Sequence, residues 1–81
     1  MFKTYTLSKK NYDLLKQIDF TEMGQSLVFN DGSLSFDTDS IRLLEVIITE
    51  EITTKGMKRG QQECNEYGRR LYDLYDEIYY Q

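Results

Sequence analysis

The chain changes hydrophobic period several times, and each change marks an element. Phe2–Leu7 alternates, with Tyr5 and Leu7 on one face and Thr4 and Thr6 on the other, which predicts a short strand. Ser8 then supplies an N-cap hydroxyl for a helix over Lys9–Ile18, in which Tyr12, Leu15 and Ile18, with Leu14 beside them, make one apolar face. Asp19–Gln25 holds Gly24 and no sustained period, and is expected to be a loop. Asp31-Gly32 suits a two-residue type I′ turn, because that turn needs positive φ at both positions. The register it implies sets Asn30 against Ser33, Phe29 against Leu34, Val28 against Ser35 and Leu27 against Phe36. Leu27, Phe29, Leu34 and Phe36 then share one face of a hairpin over Ser26–Phe36.

Asp37, Thr38, Asp39 and Ser40 offer several N-caps for a second helix that runs to about Thr54. Its stripe is Ile41, Leu44, Ile48 and Ile52, and Leu43, Val46 and Ile47 widen that stripe enough to predict cover on two sides. Gly56, after Lys55, is the expected stop. A last helix is predicted from near Met57 to the C-terminus, along the spacing Met57, Gly60, Cys64, Tyr67, Leu71, Leu74 and Ile78. Gly60 and Gly68 each cost a helix about 1 kcal/mol relative to Ala, so close approach of another backbone is their expected use; Gly60 breaking the helix and delaying its start is the alternative. The sum is a single α+β domain over residues 1–81, ordered β-α-β-β-α-α, with a small three-stranded sheet covered on one face by helices. Two placements stay open for the N-terminal strand: antiparallel to the second hairpin strand, or parallel to the first.

Composition narrows the function classes. The chain has 81 residues, 40% apolar and 30% charged, with seven Tyr and four Phe, which is the balance of a folded domain. A formal charge of −4 argues against direct binding of nucleic acid or an anionic membrane. The apolar stretch Ile41–Ile48 is interrupted by Arg42 and Glu45 and is too short to span a bilayer. Cys64 has no second cysteine to pair with, and no signal peptide precedes Phe2, so the expected compartment is the cytoplasm.

Enzymatic chemistry is not expected. Histidine, the commonest general base and transition-metal ligand, does not occur, and neither does a Walker A or Gly-x-Gly-x-x-Gly pattern. Cys64 falls on the packed seam, where a small buried hydrophobe is the simpler reading. Asn30-Asp31-Gly32 followed by Asp37 and Asp39 fails the EF-hand pattern, because Phe29 and Leu27 stand where it wants ligands. No cofactor and no metal are therefore expected. Lys55, Lys58 and Arg59 suit the C-terminal end of the preceding helix better than they suit a phosphate.

The segment Leu71–Gln81, LYDLYDEIYYQ, carries the most chemistry. Leu71, Leu74 and Ile78 belong to the seam, Tyr72, Tyr75 and Tyr79 form a stripe beside it, and Asp73, Asp76 and Glu77 stand further round. Arg69 is placed to relieve Asp73, and Glu66 to pair with Arg70, whereas Asp76 and Glu77 have no local cation. Two readings follow. In one, the tyrosines snorkel and the acids solubilise. In the other, Tyr72, Asp73, Tyr75, Asp76, Glu77 and Tyr79 form a recognition face for a protein rich in Arg and Lys.

Ile47–Met57, with Glu50-Glu51 and its Lys-Gly-Met end, and the closing LYDLYDEIYYQ resemble the small acidic proteins of phages and mobile elements of Gram-positive bacteria, anti-CRISPR inhibitors among them. The resemblance implies a protein that acts by binding, an inhibitor or adaptor of a basic nucleic-acid-handling protein such as a CRISPR effector nuclease. Carboxylates would stand where the nuclease expects phosphate. No functional residue is carried over from it. The alternative expectation is a structural module whose tyrosine stripe and broad apolar helix meet a second copy of the chain as a homodimer.

Overall fold

The computed structural model describes residues 1–56 and 65–81, so the expectations for Met57, Lys58, Arg59, Gly60 and Cys64 lie outside the described residues. The fold is α+β, in the order β1 (Lys3–Thr6), α1 (Lys9–Lys16), β2 (Leu27–Asn30), β3 (Ser35–Thr38), α2 (Ile41–Lys55) and α3 (Glu66–Tyr79). The strands form one three-stranded sheet in the order β1-β3-β2, and both pairings are antiparallel. Of the two placements open for the first strand, the chain takes the one beside the second hairpin strand.

One face of the sheet is covered. Tyr5 and Phe36 face each other across β1 and β3 and stack at 5.2 Å between ring centroids. Phe29 meets the Tyr12 ring of α1 edge-on at 6.0 Å. The opposite face is polar apart from the exposed Val28, and the Thr4 hydroxyl donates to Asp37 at 2.6 Å across the pair. Asp37 is therefore a strand residue and not a helix cap. Ser40 takes the N-cap position of α2 without a side-chain capping bond, since its hydroxyl donates to Asp39 at 3.0 Å, and its amide donates to the Thr38 hydroxyl at 3.0 Å.

The hairpin forms, but its register is two residues from the predicted one. Phe29 pairs with Phe36, Val28 with Asp37 and Leu27 with Thr38, so Asp31–Leu34 make a four-residue loop. A shift of two keeps every side chain on its own face, so Leu27, Phe29 and Phe36 still point together. Leu34 leaves the strand and takes a left-handed conformation with φ 52°. Its carbonyl accepts the Leu7 amide at 2.9 Å, which carries the strand pairing one step past β1. Asp31 has a tertiary role instead of a type I′ turn role. Its carboxylate accepts the Tyr12 hydroxyl at 2.5 Å and Lys16 Nζ at 2.9 Å, tying the loop to α1.

Two further expectations are corrected locally. α1 ends at Lys16, two residues early, although Ile18 is still buried. Asp19–Gln25 is not simply loop, since a 3-10 segment runs over Thr21–Ser26 and is broken at Gly24.

The α2–α3 corner is where glycine is needed. Gly56 stops α2 directly after Lys55, as expected, and does so at φ −96° without a left-handed conformation. A Cβ on Gly56 would lie 2.7 Å from the Gly68 Cα, and one on Gly68 would overlap the Gly56 carbonyl. Close backbone approach is thus the use of Gly68, as its cost to the helix suggested. Asn65 is extended at ψ −176°, so the helix expected from Met57 is not continuous, and α3 begins at Glu66. Asn65 locks the corner from both sides. Its side chain accepts the Gly68 amide at 2.8 Å and donates to the Lys55 carbonyl at 3.0 Å, while its own amide donates to the Gly56 carbonyl at 2.9 Å.

Gly68→Ala is predicted to destabilise, against its gain of about 1 kcal/mol in helix propensity. The overlap with Gly56 makes the expected net loss roughly 1–3 kcal/mol, read as a lower midpoint in urea. Gly32→Ala, where nothing lies within 4 Å of the added carbon, is the comparator and should stay within about 0.5 kcal/mol. A Gly68→Ala protein more stable than the parent would contradict the close approach.

The loop anchor sets a pH dependence with two limbs. Burial, then the hydrogen bond to Asp31, pushes the Tyr12 hydroxyl up to about 12. Burial, then the Glu51 carboxylate 2.8 Å away, does the same to Tyr67. Unfolded tyrosine ionises near pH ~10, so this stability is full below ~10 and is lost as pH rises towards 12. The hydrogen bond from Tyr12, then the one from Lys16, holds Asp31 below the ordinary carboxylate range. Its stability is present above ~3.9 and is lost as pH falls through the lower folded value. Denaturation midpoints across pH should show the alkaline limb flattened in Tyr12→Phe and the acid limb flattened in Asp31→Asn. Unchanged limbs in both would remove the anchor.

Candidate functional site: the α2–α3 face

α3 lies between α1 and α2, and the ~100° turn per residue of a helix divides its side chains between the two neighbours. Leu71, Leu74 and Ile78 point into the core and are fully buried or nearly so. Asp73 and Glu77, four residues apart, share the side facing α1. Tyr75 and Tyr79 lie on the other flank, towards α2, with Tyr72 and Asp76 exposed beside them.

The acids on the α1 side are engaged. Glu77 Oε1 accepts the Ser8 amide at 3.0 Å, the Ser8 hydroxyl at 3.3 Å and Asn11 Nδ2 at 3.0 Å. Ser8 is the N-cap of α1, so the carboxylate sits at the positive end of that helix. Asp73 accepts Asn11 Nδ2 at 3.2 Å and lies 3.4 Å from Lys10 Nζ. Its partners are thus on α1, not Arg69 as the spacing suggested. Glu77 does have a partner, but a distant one in sequence. The expected Glu66–Arg70 pair forms at 2.9 Å. Lys55 pairs with Glu51 at 3.6 Å, one turn back on α2. Gln81 works like a short extra strand beside β1, accepting the Thr6 amide at 2.9 Å and donating to the Thr6 carbonyl at 2.7 Å.

The tyrosines on the α2 side are open. Tyr72 is 46% exposed and Tyr79 61%, which places the stripe outside the core. Tyr75 is half-buried against the core, and its ring stacks on Tyr79 at 6.2 Å with 13° between planes. Tyr80, one residue beyond α3, packs edge-on against Tyr79 at 5.3 Å and is 81% exposed. Sequence reasoning left Tyr80 out of the face, because the helical spacing that selected the stripe does not reach it. The carboxylate of Asp76 makes no ion pair or hydrogen bond among the described residues.

α2 contributes a second set of residues that the C-terminal segment alone did not reveal. A groove of about 420 Å³ runs between the helices, with Tyr5, Ile41, Arg42, Glu45, Tyr75 and Tyr79 on its walls. A second depression of about 310 Å³ adjoins it, sharing Arg42, Glu45 and Tyr75 and adding Val46, Thr49 and Glu50. Val46 is 50% exposed there. The cover on two sides predicted for α2 is therefore incomplete on this flank. Neither the Glu45 nor the Glu50 carboxylate is paired among the described residues.

Among the described residues, no cluster of three or more His, Cys, Asp or Glu side chains could hold a metal ion. No described helix is long and apolar enough to cross a membrane. No family model matches the chain, and neither a curated protein nor a solved structure matches it.

The division of acids across α3 gives a direct test. Glu77→Ala leaves the Ser8 amide and the Asn11 amide group without their acceptor, at an expected cost of about 1–3 kcal/mol. Asp76→Ala removes no bond and is expected within about 0.5 kcal/mol of the parent. Thermal or urea unfolding of the two variants reads the difference. Equal effects would mean that Glu77 does not cap α1.

Proposed function

We propose that this domain is a non-enzymatic protein-binding module whose α2–α3 face takes a partner with a basic surface, as an inhibitor or adaptor would. The observation that carries the reading is the exposure of Tyr72 and Tyr79 in one patch with Asp76, a carboxylate unpaired among the described residues. Tyrosine on a helix brings large contact area with few rotamers to immobilise. Carboxylates left without an internal cation favour a positively charged counterpart. Asp73 and Glu77 hold α1, so the proposed face comprises Tyr72, Tyr75, Asp76 and Tyr79 of α3, with Glu45, Val46 and Glu50 of α2. Proteins that handle nucleic acid present basic surfaces, and a CRISPR effector nuclease is the concrete instance, in which this face would stand where phosphate binds. The second reading is a face that pairs with its own copy, favoured by the exposed Val46 beside the tyrosines.

Affinity capture from host lysate at low and high salt, with the parent chain and with Tyr72→Ala/Asp76→Lys, tests the proposal. Both substituted residues are exposed, so the fold is expected to survive. The parent should retain a basic protein that elutes as salt rises, and the double variant should lose it. Where the captured protein is a nuclease, its cleavage should be inhibited by the parent alone. Identical capture by both proteins, or capture indifferent to salt, would overturn the assignment.

A further inference from the structure

The groove beside Tyr75 has more chemistry than a flat docking face requires. Its walls set two nearly parallel phenol rings, Tyr75 and Tyr79, beside the half-buried Glu45, whose carboxylate makes no ion pair or hydrogen bond among the described residues. The adjoining depression adds Glu50, and Arg42 is the one cation among the residues lining either. Two carboxylates against one guanidinium leave the paired depressions acidic, so the charge they complement is positive.

Resting on the binding reading above, we infer that this groove is an arginine-reading cleft. A single arginine side chain of the basic partner lies along the Tyr75 and Tyr79 rings and places its guanidinium on the Glu45 carboxylate. Arginine fits for three reasons. Its guanidinium is planar and weakly hydrated, so it stacks on an aromatic face where an ammonium keeps its water. Its fork meets a carboxylate through two parallel N–H bonds. Its three-carbon stem is apolar and suits Ile41 at the edge of the groove. The stacking rings and the carboxylate come from different helices, so the cleft exists only where α2 and α3 are held together.

The probe is a hexa-arginine peptide, with hexa-lysine at matched charge, titrated into the isotopically labelled full chain and followed by NMR. Hexa-arginine should shift the amide signals of Glu45, Tyr75 and Tyr79 and bind more tightly than hexa-lysine. Glu45→Gln, which keeps the side-chain shape, should weaken it about tenfold, the equivalent of one charge-assisted contact. Tyr79→Leu, at an exposed helical position, should abolish the preference for arginine over lysine while leaving the circular dichroism spectrum unchanged. Equal binding of the two peptides by the parent, an unaffected Glu45→Gln, or shifts confined to other surfaces would each overturn the cleft. A dimer in sedimentation that Arg42→Ala dissolves would also overturn it, since the chain's own arginine would then be the occupant. Capture of the cellular partner separates this inference from the one beneath it. A partner kept by Glu45→Gln but lost from Tyr72→Ala/Asp76→Lys would sink the cleft and spare the face. A partner kept by both variants would sink the face itself.

Discussion

The contact between Gly56 and Gly68 is the constraint on which the rest of this structure hangs. It brings the end of α2 and the start of α3 to backbone distance, closer than any side chain would allow. From that corner the two helices run back along each other, burying Ile48 and Ile52 with Leu71 and Leu74. Asn65 holds the corner by bonding both helix ends at once, so the geometry does not depend on glycine alone. At the far end the seam is filled by large residues, Ile41, Tyr75 and Ile78, and there it stops short of closing. Small residues at one end and bulky ones at the other turn a helix pair into a groove. The same constraint that builds the core therefore positions the candidate surface.

A second constraint comes from the ends of helices. α3 carries no cation in its last turn, and it carries acids there, which opposes its own dipole. Docking α1 across it changes the sign of that term for Glu77, because the carboxylate accepts the Ser8 amide at the start of α1. The same carboxylate orients Asn11, which also reaches Asp73, so one short network joins α1 to α3 near the sheet edge. Gln81 then bonds both polar groups of Thr6, blunting the edge that β1 would otherwise present. The acids that looked like one surface feature are two: one set works inside the molecule, and Asp76 does not.

What the sequence made legible was whatever depends on neighbours along the chain. The alternation at Thr4–Leu7, the Ser8 cap and the apolar stripes of α2 and α3 all rest on local periodicity, and they led directly to the α+β order of elements. The hairpin shows where such reasoning ends. A register slip of one residue would have turned Phe29 and Phe36 outward and was excluded by pattern, but a slip of two leaves every face intact. The choice between registers was made by groups outside the hairpin, as Tyr12 and Lys16 bind Asp31 and Leu7 bonds Leu34. The break at Asn65 is instructive in the same way. Its spacing to Gly68 is that of a helix cap, a signal present in the sequence but outweighed there by an unbroken apolar seam. The candidate face was half legible, since α3 announced its tyrosines by spacing. The contribution of Glu45, Val46 and Glu50 depended on how α2 rotates against it.

The tyrosines themselves argue against a purely structural account of that flank. At solvent-facing helical positions, Lys, Glu, Gln or Ala hold a helix better than Tyr does, and Lys near the C-terminal end would also suit the dipole. At such exposed positions α3 has instead Tyr72, Asp76 and Tyr79, followed by Tyr80. Asp73 and Glu77 break the same rule, yet their partners on α1 account for them. Among the described residues Asp76 has no such partner, and what the Tyr79 ring gains is contact with the Tyr75 and Tyr80 rings. A local rule broken without an internal gain is where a protein's function tends to sit. Here the rule is broken by Asp76, on a helix that lines an acidic, aromatic groove against α2.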